Sequence, residues 1–327
     1  MLEIFRKNLF INSVMLLPYI FIVRIGTLIH PVKMEAGPDD NLLQRLVFNN
    51  ISDALIQNIV ANLLIFVHVL LINYICIKHK LSREITLFSG LFYVLFVSLL
   101  PDNMVLSNAL IANTFIIIAF KNLLETYKNT QATPQIFNSG FMIGLASLFY
   151  SPYFAYLIFG VLSLLMLRSF KLIEKLQFFI GLVIPYFLLF VYRYWNDIPF
   201  IELDFIKNMF FKWPVFRTDR LIVFYISVVV LLGAVLVSFI NYSTFTAKKS
   251  IQTQKKIDII FILLLFSFVS FTIFSTEQVI HFLTLALPLS LLTGMAASDS
   301  KSKIFYEILH LFLLGLIFIG QFRLINF

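Results

Sequence analysis

Charge is scarce in this chain. Only 13% of its 327 residues are Asp, Glu, Lys or Arg, against roughly 25% in a soluble domain. With 60% hydrophobic residues and a mean hydropathy of +0.93, the surface suits a bilayer rather than water. Cysteine is nearly missing as well. Cys76 stands alone inside an apolar run, which excludes a disulfide framework and a cysteine metal site. The phosphate-binding loop, G-x-G-x-x-G, H-E-x-x-H and Cys/His metal spacings do not occur. Gly144-Leu-Ala-Ser-Leu148 lacks the second glycine of a nucleophile elbow. No small-residue cleavage site follows Arg6 and Lys7, so the first apolar run reads as a retained span and not a signal peptide. No soluble domain, repeat array or low-complexity linker interrupts the chain, and 1–327 reads as one transmembrane domain.

What is present is a series of apolar runs. A transmembrane helix needs about 20 mostly apolar residues, fewer where protein surrounds it. Eleven stretches qualify: 9–30, 54–77, 85–101, 105–121, 135–150, 153–168, 175–195, 220–242, 257–275, 278–296 and 304–325. The expected fold class is all-α, a polytopic transmembrane helix bundle. The net charge of +8 does not imply nucleic acid, because the basic residues lie in short loops where they set topology. With the N-terminus inside, alternate loops carry Arg6/Lys7, Lys78/Lys80/Arg83, Lys121/Lys128, Arg168/Lys171/Lys175, Lys248/Lys249/Lys255/Lys256 and Lys301/Lys303. That is 16 of the 25 Lys and Arg residues. The expectation is therefore a cytoplasmic N-terminus and an outer C-terminus. Phe is abundant at 39 residues. A compositional bias explains that, and no function is attached to it.

Two outer loops are long, about 31–53 and 196–219. In the first, Pro38 and Asp39/Asp40 open a short run with Leu42, Leu43, Leu46 and Val47 on one face. In the second, Phe205, Ile206, Met209 and Phe210 recur at helical spacing before Trp213. Both runs are too short to span, so they are expected to lie as amphipathic helices on the outer face.

Ten of the 17 carboxylates fall outside or at the outer boundary, among them Asp39, Asp40, Asp53, Asp102 and Glu277; Arg24, Arg193 and His281 sit near the same level. Intramembrane charges are costly and usually face protein, water or a partner. An outer cavity lined by Arg24, Arg193, His281 and one of these carboxylates is the functional reading. The structural alternatives stand beside it. Arg24 and Arg193 lie close enough to the boundary to snorkel, and Asp39/Asp40 suit a helix N-terminus. His68 at mid-span reads as an inter-helix hydrogen bond. Gly140, Gly144 and Ser147 share one helix face, where a neighbouring helix can approach closely. Pro18, Pro185 and Pro288 fall inside apolar runs.

Two resemblances follow from these residues. From Leu81 to Pro185, the L-S-R-E-I-T start, the L-L-P-D turn at 99–102, I-F-N-S-G-F-M-I-G-L-A-S-L-F-Y, and Gly181 to Pro185 resemble an uncharacterised family of polytopic inner-membrane proteins of the Bacteroidota. More loosely, the architecture is similar to the GT-C class of glycosyltransferases: an N-in first span, a long outer loop with an amphipathic run and an acidic pair, then many short-looped spans. G-L-A-S-L-F-Y-S-P is similar to a helix hairpin of that class. The first loop lacks the class's aromatic-flanked acidic motif, and no large outer domain is present.

That resemblance implies a protein handling a polyprenyl-phosphate-linked or other lipid-linked envelope glycan. Asp39 or Asp40 would be the catalytic base, and Arg24 and Arg193 the phosphate-holding cations. Glu277 and His281 would complete the substrate site. No cofactor is expected, and a divalent metal only if the glycosyltransferase reading holds. Partners are membrane lipids and, in the rival reading, other membrane subunits. In that reading the protein is a non-catalytic subunit or scaffold of an export or motility complex. A transporter is the third.

Overall fold

The computed structural model describes residues 2–33, 48, 50–51, 53–168, 171–197, 222–247, 249–273, 282–300 and 302–324. Among these the secondary structure is helical throughout. The helices are α1 (Leu2–Arg6), α2 (Phe10–Val23), α3 (Ile25–Ile29), α4 (Ala54–Lys78), α5 (Phe88–Ser98), α6 (Asn108–Glu125) and α7 (Thr133–Phe149). They continue as α8 (Tyr156–Leu167), α9 (Leu172–Trp195), α10 (Ile222–Ile240), α11 (Tyr242–Thr246), α12 (Ile251–Ile273), α13 (Leu283–Asp299) and α14 (Lys303–Leu324).

Every one of the eleven apolar stretches carries helix. Among the described residues, five helices are long and apolar enough to cross a membrane: Ala54–Lys78, Asn108–Glu125, Leu172–Trp195, Val223–Ile240 and Lys303–Phe322. The stretch 9–30 is split at Arg24. The joint at Ser151-Pro152 is a 3-10 turn, Ser151–Ala155, between α7 and α8. Proline in the first positions of that turn has no N–H to lose.

The stretch 85–101 is where hydropathy misleads most. Its helix, α5, has 11 residues, all of them buried. At about 1.5 Å per residue it rises roughly 16 Å, about half of a ~30 Å hydrocarbon core. Its apolar side chains meet protein on all sides, from α4, α13, α14 and α2. Backbones come close here. A Cβ on Gly294 of α13 would sit 2.5 Å from the Ser89 Cα, and one on Gly90 would sit 2.5 Å from the Asn73 amide nitrogen. Asn73 Oδ1 in turn accepts the Gly90 N–H at 2.9 Å.

The small face of α7 finds its partner in α9. A Cβ on Gly140 would strike the Phe178 carbonyl, and one on Gly144 would lie 2.5 Å from the Leu182 carbonyl. From the other side, a Cβ on Gly181 would strike the Phe137 carbonyl. Ser147 Oγ pairs with the Tyr186 hydroxyl at 2.7 Å. Without a hydrophobic drive between helices in lipid, such close contact is what holds them. α7 also packs on α6, and α6 on α4.

Overpacking at this seam is expected to cost at least about 2 kcal/mol. Gly140→Leu and Gly181→Leu should therefore lower the unfolding midpoint of the detergent-solubilised protein. Gly233→Ala and Gly315→Ala, where a Cβ meets nothing within 4 Å, should leave it unchanged or raise it by up to about 1 kcal/mol. Equal behaviour of the two pairs would remove the seam from the account.

Candidate functional site

Arg24 lies at the break between α2 and α3. Its backbone, φ −110° and ψ 25°, leaves the helical region for one residue. The break frees backbone groups that lipid cannot satisfy. Gln321 of α14 takes both. Its Nε2 donates to the Val23 carbonyl at 2.6 Å, and its Oε1 accepts the Gly26 N–H at 2.8 Å. Gly26 makes room for this, since a Cβ there would sit 2.6 Å from Gln321 Oε1. Gln321, one of a few polar residues in the last apolar run, was the only sequence sign of this contact.

The Arg24 side chain has no exposed surface. Nη2 donates to the Met104 carbonyl in the 3-10 turn Pro101–Met104. Nε and Nη1 have no protein partner. Snorkelling is therefore not what this side chain does; it points into protein.

Beside it is a polar network on α4, α5 and α6. The Tyr93 hydroxyl lies within electrostatic range of the guanidinium. It pairs with His68 Nδ1 at 2.8 Å and accepts from Asn113 Nδ2 at 3.0 Å. His68 Nε2 meets Thr114 Oγ1 at 2.7 Å. Both ring nitrogens are thus engaged by neighbouring helices, as an inter-helix hydrogen bond requires. With Tyr93 donating to Nδ1, Nε2 carries the proton and donates to Thr114.

Further polar atoms near the break are buried without a protein partner: Asn58 Oδ1, both polar atoms of the Asn62 amide, and Asn103 Oδ1. Asn58 is tied to the break through the Thr27 carbonyl at 3.2 Å. Unfilled donors and acceptors of this kind are uncommon in buried positions. Three of these four atoms are acceptor oxygens, so the unfilled donors in this region are Arg24 Nε and Nη1 and Asn62 Nδ2.

Of the other expected site residues, Arg193 alone lies among the described residues. Arg193 is buried near the end of α9, a helix packed on α7. Asp39, Asp40, Glu277 and His281 lie outside the described residues, as do both amphipathic stretches. Asp53 serves as the N-cap of α4, accepting the Leu55 N–H at 2.7 Å. Among the described residues, no three His, Cys, Asp or Glu come together to hold a metal. A separate apolar crevice of about 450 Å³ lies between α10, α13 and α14, lined by Phe96, Val230, Ala234, Phe305 and Leu313 among others.

Gln321→Met should strand the Val23 carbonyl and the Gly26 N–H and cost about 1–3 kcal/mol. Gly26→Ala, which pushes against the same amide, should also destabilise. Denaturant titration of the solubilised protein reads both, and an unchanged midpoint for Gln321→Met would mean the amide does not support the break.

The known proteins add a family but no activity. No curated protein and no solved structure matches the chain. Residues 41–327 match the model of a family of unknown function, DUF6427, and the chain belongs to that family.

Proposed function

We propose that this is an inner-membrane protein of eleven spans, N-terminus cytoplasmic and C-terminus outside, that handles a lipid-linked envelope glycan at the outer face in the manner of the GT-C class. The reading also places amphipathic helices of the two long loops on that face. The observation that carries it is Arg24: a wholly buried guanidinium with two nitrogens unpartnered. Arginine stays charged at any accessible pH. Burying that charge unpaired is expensive, and a phosphate oxygen is the counter-charge its geometry suits.

In this mechanism Asp39 or Asp40 removes the proton from an acceptor hydroxyl. The hydroxyl oxygen bonds to the anomeric carbon while that carbon's bond to the donor phosphate oxygen breaks. The phosphate leaves with the electron pair, and Arg24 stabilises the charge that develops on it. Arg193 is the second expected cation, and Glu277 and His281 are the other expected substrate-binding residues.

The test uses the full chain extracted with its native lipids. Mass spectrometry of those lipids should find a polyprenyl-phosphate-linked sugar near one per protein. Arg24→Gln should deplete it at least tenfold. Asp39→Asn with Asp40→Asn should retain the lipid yet fail to complement a deletion strain. An unchanged lipid complement in Arg24→Gln would defeat the reading. A stoichiometric protein partner with no anionic lipid would establish the rival, a subunit of an envelope machine.

A further inference from the structure

The segments that carry most of the basic residues meet at one end of the helix set. Arg6 bridges Glu84 at 2.7 Å. Lys249 bridges Asp299 at 3.0 Å and also donates to the Leu81 carbonyl. Arg168 grips Glu174 through two nitrogens, each at 2.7 Å, and donates to the Thr126 and Asn129 carbonyls. Lys255 reaches the Met166 carbonyl at 3.4 Å. Most cations here have an oxygen partner.

Lys256 does not. It is 4% exposed, and its hydrogen bond goes to a ring nitrogen, His79 Nδ1, at 2.9 Å. No carboxylate among the described residues lies within ion-pair distance of it. His79 is itself 7% exposed. Burial, and then the Lys256 ammonium, hold its pKa down at about 4, so the ring is neutral. Lys256 can only donate, so Nδ1 accepts and Nε2 carries the proton. That N–H is buried without an acceptor.

Both residues line an open cavity of about 420 Å³, together with Lys78, Glu125, Gln135 and Gln252. The volume falls in the range of about 300–1,000 Å³ usual for small-molecule sites. Glu125 is already taken by Lys78 at 2.6 Å and Lys121 at 3.7 Å. The lining therefore holds two lysines, Lys78 and Lys256, against one carboxylate that Lys121 also approaches. Gln135 Oε1 is buried with no donor to satisfy it. The cavity thus offers an ammonium and an imidazole N–H to an anion, and one carbonyl oxygen to a hydroxyl.

We propose that this cavity binds a phosphate monoester of a polyol, with Lys256 and His79 on the phosphate and Gln135 on a hydroxyl. Lysine is a strong point-charge partner for phosphate, and the buried imidazole adds a directed donor. The ester is either a free solute or the headgroup of a lipid at that membrane surface. This site is at the other end of the protein from the lipid-linked glycan and does not depend on that reading.

The experiment uses the full chain in a non-ionic detergent and in nanodiscs. In detergent, glycerol 3-phosphate should raise the melting midpoint where glycerol does not, and titration should show saturable binding. Lys256→Gln and His79→Phe should each weaken it at least tenfold, whereas Arg24→Gln should leave it unchanged. Gln135→Ala should weaken glycerol 3-phosphate but not inorganic phosphate, which a general loss of folding would not do. In nanodiscs, a midpoint raised by phosphatidic acid but not by diacylglycerol assigns the lipid source; a response only to glycerol 3-phosphate assigns the free one. No response to either phosphate ester, or full binding by Lys256→Gln, overturns the proposal.

Discussion

Arg24 interrupts the first long helix, and three other elements are held by what that interruption exposes. Gln321 binds the freed backbone from α14. The turn after α5 accepts from the guanidinium. Asn58 of α4 takes the Thr27 carbonyl just beyond the break. In water these groups would solvate themselves. Among apolar helices each must find a partner within the chain, so a local irregularity becomes a set of long-range contacts.

Around that point the bundle relies on two kinds of closeness. At α7 and α9 glycines bring backbone against backbone, and dispersion accumulates over the length of the contact. At α5 the same approach occurs where Gly294 meets the Ser89 backbone, while Gly90 makes room for the Asn73 and Val69 side chains. Polar pairs then pin the register: Ser147 with Tyr186, His68 with Tyr93 and Thr114, Tyr156 with Ser267 at 2.9 Å. Such pairs add modest energy in a membrane, about 0.6–2 kcal/mol, but they are directional where apolar contacts are not.

The positions of the helices were legible in the hydropathy, and so was the packing face of α7, because both are local patterns. The environment of α5 was not. An apolar run looks the same whether lipid or protein surrounds it, and Phe88–Ser98 turned out to be sealed inside protein. Partners were equally hidden. A lone Gln321 or His79 in a sequence announces that a partner is needed without naming it, and their partners lie 298 and 177 residues away. Of the site expected from charge placement, Arg24 took a more enclosed position than its distance from the span end implied. The acidic pair falls before residue 41, where the family match begins, whereas His68, His79, Tyr93, Lys256 and Gln321 all fall within it.

The Gln321 contact also has a consequence for biosynthesis. The glutamine leaves the ribosome 295 residues after Gly26, whose N–H it satisfies. At about 5–20 residues per second, the broken first helix waits on the order of 15–60 s for its closing partner. During that interval the Val23 carbonyl and Gly26 N–H need a temporary host, either water at the membrane surface or the insertion machinery. The broken helix is thus made long before the residue that secures it.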